Sequence, residues 1–150
     1  MRLLGHPIHP MLVAFPIGLL ALLPVWDVLA LAGAMRDAAA VGYWTALAGL
    51  VGGGLALITG LVDFARLPQG PVVNTALIHA SAAVATLSFF GVAFAFRSDA
   101  FAPSTLVVAL DFLGAGALGV TGWFGGHLVF RYGAAVAPDA ATAPARTDSR

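Results

Sequence analysis

Four apolar runs, at approximately 10–34, 41–62, 72–96 and 104–130, constrain this chain more than any other feature of its sequence. A hydrocarbon core of ~30 Å is crossed by about 20 residues of helix, since each residue advances ~1.5 Å. Lipid offers no partner to a backbone N–H or C=O, so a crossing segment must satisfy these groups internally. Uninterrupted runs of this length do so as helices. The expected fold is an all-α integral membrane protein with four transmembrane helices. The links are short and carry charge or helix breakers: Met35-Arg36-Asp37, Asp63 to Pro71, and Arg97 to Ser104. Short links favour antiparallel neighbours, giving an up-down-up-down bundle over residues 1–133. The tail, 134–150, is rich in Ala, Pro, Thr, Asp and Arg and is expected to be disordered. The first run is too long for the h-region of a secretory signal.

Composition narrows the function classes. The chain is 60% hydrophobic and 9% charged, which excludes an ordinary soluble domain. Its formal net charge of zero provides no basic face for nucleic acid. Having no cysteine removes disulfides, thiolate-held iron–sulfur clusters and covalent c-type haem, leaving nitrogen and oxygen ligands for any metal. Arg2, Arg66, Arg131, Arg146 and Arg150 fall on one side of the expected bundle and Arg36 and Arg97 on the other. That asymmetry predicts termini on the cytoplasmic side. Trp26, Tyr43 and Trp44 would belong to one interfacial belt, and Trp123 and Tyr132 to the other. Gly49-x-x-x-Gly53, Gly122-x-x-x-Gly126 and Ala115-x-x-x-Gly119 allow close helix approach, within the bundle or in a homo-oligomer, or make room for a flat cofactor.

Ionisable groups at membrane depth are costly, so each one is a functional candidate. All four histidines fall toward the same side. His6 and His9 lie in Gly5-His6-Pro7-Ile8-His9-Pro10, His79 early in the third run, and His127 late in the fourth. At ~1.5 Å per residue, His79 is roughly 10 Å inside its run and His127 about 6 Å from the end of its own. Antiparallel helices would bring these two to similar depth. The prolines after His6 and His9 bias both toward extended geometry, with the rings on one edge about 9 Å apart and Pro10 opening the helix. Asp63 lies on the histidine side, where it could ligate or orient a ligating imidazole, or pair with Arg66. Asp27 and Asp111 belong to the opposite half, as a buried polar pair, a proton entry or interfacial groups.

Two cofactor readings fit these residues. Bis-histidine ligation of haem b would use His79 and His127 first, with His6 and His9 as alternative ligands or lining the access route, facing a slot lined by Ala82, Ala83 and Thr86 on one helix and Gly119, Val120, Trp123 and Phe124 on the other. A transition metal ion would take His6 and His9 with a third histidine and Asp63.

The opening from Gly5 to Gly18, together with Ile78-His79 and the closing segment Gly125 to Gly133, resembles the bacterial membrane proteins grouped as domain of unknown function 2231. The resemblance spans nearly all of the chain except the tail. It implies four helices in a bacterial inner (cytoplasmic) membrane and a relation to the membrane cytochromes b, which hold haem between histidines of a helical bundle. Two-haem members place ligands in both leaflets. This chain has no histidine in the half containing Asp27 and Asp111, so one haem level is available at most.

The leading expectation is therefore a haem- or metal-binding protein serving electron transfer, with a redox partner or membrane complex. The alternatives are an ion or proton permeation component using Asp27, Asp111 and the histidines, and a noncatalytic membrane anchor subunit. A hydrolase is not expected, since no nucleophile stands in a recognisable base motif and no phosphate-binding loop is present.

Overall fold

The computed structural model describes residues 2–3, 6–134 and 136, with side chains from residue 8 onward. A two-residue antiparallel pair comes first, β1 (Arg2–Leu3) against β2 (His6–Pro7), with Leu3 opposite His6. The helices follow: α1 (Ile8–Ala21), α2 (Leu23–Leu31), α3 (Ala38–Phe64), α4 (Pro71–Ala95) and α5 (Thr105–Tyr132). Together α1 and α2 make one span of 24 residues; the other three spans are 27, 25 and 28 residues long. Four membrane-spanning helices are thus present as expected, and the bounds shift by only a few residues. The expected tail lies outside the described residues apart from Ala134 and Val136.

The first span is broken at Leu22, which the apolar pattern does not reveal. Pro24 has no N–H to donate to the carbonyl of Leu20, and its ring crowds that carbonyl. The chain compensates with tighter turns, in which Leu22 N donates to Leu19 O at 3.2 Å and Val25 N to Leu22 O at 3.1 Å. A second difference concerns His9. It was expected to be extended before Pro10, yet it lies in the first turn of α1. Proline is tolerated there because a first-turn N–H has no intrahelical acceptor to lose. His6, also followed by proline, is extended as anticipated.

The ends of α5 are set by local chemistry. Ser104 caps its start, its Oγ accepting from Val107 N. Gly133, at φ 63°, closes its end in the left-handed region, so that Ala134 N reaches back to Leu128 O at 2.9 Å.

Packing divides the bundle into two pairs, α1 along α3 and α4 along α5. The pairs join through α3 against α4 and, at the other side, α2 against α5; α1 and α4 stand diagonally and barely touch. The enclosed apolar core is Leu20, Leu23, Ala46 and Phe90. Glycines let these side chains sink into facing helices. A methyl at Gly49 would stand 2.6 Å from Leu20, and one at Gly114 2.9 Å from Phe90. Such contacts supply van der Waals packing, which replaces the hydrophobic effect between helices in lipid. Less than a third of each spanning segment is buried. The remaining apolar surface, including Met11, Phe15, Ile58 and Phe130, faces the bilayer.

Candidate functional site

The antiparallel arrangement gathers polar side chains at two ends of the bundle. At the end holding the start of α1, His9 and His79 meet across the diagonal. Their ring centroids are 6.4 Å apart and the ring planes cross at 83°. Each ring is fixed by a carbonyl of a neighbouring helix: His9 Nδ1 lies 2.8 Å from Ala56 O on α3, and His79 Nδ1 lies 2.9 Å from Thr121 O on α5. A carbonyl oxygen can only accept, so Nδ1 carries the hydrogen in both rings. In the neutral imidazole this leaves Nε2 with the lone pair.

Both rings lie over glycines. A methyl at Gly60 would approach His9 Cε1 to 2.9 Å, and one at Gly125 would approach His79 Cε1 to 3.1 Å. Thr121 and Gly125 are four residues apart and so share the face of α5 that receives His79. Thr86 extends this polar strip inward. Its Oγ1 donates to Ala82 O and lies 3.2 Å from Thr121 Oγ1. The strip stops at Phe90, which is fully buried one turn further along α4.

His127 occupies another face of α5. Two residues past Gly125, it is turned by about 200° around the helix. There it is half-buried and lines an outward groove with Trp123, Gly126, Phe130 and Arg131. The structure thus brings His79 together with His9 rather than with His127. Asp63 is in the last turn of α3, three residues beyond Gly60, while the Nδ1 atoms of His9 and His79 are both directed to backbone carbonyls. The side chain of His6 lies outside the described residues. Among the described residues no set of three or more His, Asp or Glu side chains is arranged to hold a metal ion.

The opposite end holds an ion cluster. Asp27 of α2, Asp111 of α5 and Arg97, just beyond α4, are all buried. Arg97 Nη1 stands 2.7 Å from Asp27 Oδ1, and Nη2 donates to Asp111 Oδ2. Gly42 of α3 makes the space, since a methyl there would lie 2.9 Å from Arg97 Nη1 and 3.4 Å from Trp26 Cβ. Sequence reasoning treated Arg97 as a loop charge. The signal that could have identified it is that Asp27 and Asp111, both inside apolar runs, need a cation, and Arg97 directly follows one.

The chain belongs to the DUF2231 family of predicted membrane proteins. The family's sequence model matches residues 5–138, which takes in all four spans and both polar ends. No curated protein and no solved structure matches the chain.

Proposed function

We propose that this DUF2231 protein binds haem b through His9 and His79 and serves electron transfer in a bacterial inner membrane. The observation that carries the reading is the pair itself: two imidazoles from diagonal helices, 6.4 Å apart and nearly perpendicular, each with Nδ1 committed to a carbonyl. Two imidazoles on opposite sides of one metal, with metal–nitrogen bonds of ~2.0 Å, have ring centres roughly 6 Å apart. The Nδ1–H···O=C bonds would hold each ring in the orientation and tautomer that a ligand to iron needs. With two protein donors assembled among the described residues, a macrocycle that supplies four nitrogens of its own fits better than a bare ion. The light contact of α1 with α4 supports a seam between the helix pairs where a flat group could enter. Haem held in this way supplies a one-electron ferric–ferrous couple.

Continuous ion permeation is less well supported, because Leu20, Leu23 and Phe90 separate the two polar ends. Termini on the cytoplasmic side follow from the arginine asymmetry, in which Arg97 is already matched by two carboxylates.

The test is the optical spectrum of protein purified from haem-replete cells. A Soret band that shifts on dithionite reduction is expected, lost in His9→Ala and in His79→Ala and retained in His127→Ala. A wild-type protein with no such band would sink the haem reading. Stoichiometric metal without haem, dependent on His6, would replace it with the metal-ion reading.

A further inference from the structure

The Asp27–Arg97–Asp111 cluster takes no part in the proposed haem site, which lies about 27 Å away along α4, the 18 residues from His79 to Arg97. Its composition is unbalanced: two carboxylates face one guanidinium, all three buried. With both carboxylates ionised it would carry a residual negative charge without water, which costs several kcal/mol even after relaxation. Its hydrogen bonding is also incomplete. The Arg97–Asp27 contact is an ion pair between Nη1 and Oδ1. Asp27 Oδ2, Asp111 Oδ1, Arg97 Nε and, on the residue next to Asp27, Trp26 Nε1 are buried without a hydrogen-bond partner among the described residues. A buried acceptor left unpaired costs about 1–3 kcal/mol.

One change corrects both the charge and the missing donor. We propose that the cluster is a proton-binding site, in which Asp27 and Asp111 hold a single proton between them while Arg97 pairs with the remaining charge. A proton taken from water converts one carboxylate O⁻ to O–H, and that O–H donates to an oxygen of the other carboxylate. The guanidinium brings the two carboxylates together, since its adjacent Nη atoms each hold one of them. The cluster then has one cation and one anion, and an unpaired oxygen gains a donor.

Among the described residues, the surrounding elements add no further ionised group. From α2 comes Trp26, whose indole does not ionise, and from α3 comes Gly42. At this end of α3, Asp37 is exposed, and the ring of Tyr43 packs on Trp44 and Phe94. Beyond α4, Asp99 is exposed, as is Arg36 before α3.

Infrared difference spectroscopy of the full chain in lipid tests this directly. At neutral pH the wild type should show the C=O stretch of a protonated carboxyl, displaced in D2O. Asp27→Asn and Asp111→Asn should each abolish the band, because the surviving carboxylate then pairs one-to-one with Arg97 and stays ionised. Asp63→Asn should keep it. Absence of the band in the wild type, a measurement that needs no variant to fold, overturns the proposal. So does its persistence in either aspartate variant.

Discussion

The two polar ends of the bundle solve the same problem in different ways. At the α2 end, charge is buried against charge: Arg97 is gripped by Asp27 and Asp111, and no side chain of the three is left to solvent. At the α1 end, imidazoles are half-buried and held by backbone carbonyls, one nitrogen of each ring fixed in this way. The first arrangement ties three elements together and resists change. The second spends little on stability and leaves donor atoms for a ligand. Removing side chains from each end should therefore give opposite outcomes, with large stability effects at the ion cluster and large ligand effects at the histidines.

The largest stability loss is expected for Arg97→Gln, which leaves two buried carboxylates without their cation. Removing one partner of a buried charge group costs about 3–5 kcal/mol, because the carboxylate charge that remains is buried without a cation. Unfolding in mixed detergent, monitored by helical circular dichroism, measures it. His79→Ala in the same assay should cost no more than about 1 kcal/mol, the net worth of a single hydrogen bond. Equal losses would erase the contrast.

Next in size is Phe90→Ala, at the barrier between the ends. Phe90 is fully enclosed and seated against Gly114, so truncation should cost about 3–4 kcal/mol through lost contacts and a residual cavity. It should also raise hydrogen exchange at the Thr86 and Thr121 amides. Unchanged exchange there would mean that Phe90 is not what seals the polar strip.

How much of this contrast the sequence conveys depends on the kind of signal. The four spans are legible because length and hydropathy are local properties, and the confinement of the histidines to one end follows from counting along antiparallel helices. Azimuth is harder. His127 and His79 come to similar depth, but a two-residue offset from Gly125 turns His127 to another face of α5, and only packing reveals which face meets α4. His9 is a candidate from the sequence, but its helical placement was hidden for a related reason: its proline neighbour suggested extended chain, while the first turn of a helix accepts proline. Arg97 escaped because a charge directly after an apolar run reads equally well as interfacial, and its burial depends on Gly42 of another helix. The break at Leu22 could have been inferred from Pro24.

Gly42→Ala probes the ion cluster more gently. The new methyl would press on Arg97 Nη1, which two carboxylates hold in place. Crowding of a fixed group should cost about 1–2 kcal/mol, read in the same unfolding assay. If Asp27→Asn relieves that cost, the guanidinium is indeed immobilised by its partners; an unrelieved cost would assign the crowding to Trp26 instead.

The smallest stability effect, and the most selective probe of the histidine end, comes from one substitution made at two places on α5. At Gly119 a methyl meets nothing within 4 Å, whereas at Gly125 it would stand 3.1 Å from His79 Cε1 and 3.4 Å from Nδ1. Alanine favours helix over glycine by up to ~1 kcal/mol, so Gly119→Ala should be neutral or slightly stabilising. Gly125→Ala gains the same propensity but must tilt the imidazole against its bond to Thr121 O, leaving a net change within about 0.5 kcal/mol. The ring itself should report the difference. In ¹⁵N spectra of histidine-labelled protein, the Nδ1 resonance of His79 should move in Gly125→Ala and stay in place in Gly119→Ala. Because both variants carry the same methyl on the same helix, a common change in helicity or lipid contact would move the resonance equally. Only direct seating of His79 on the Gly125 face separates them.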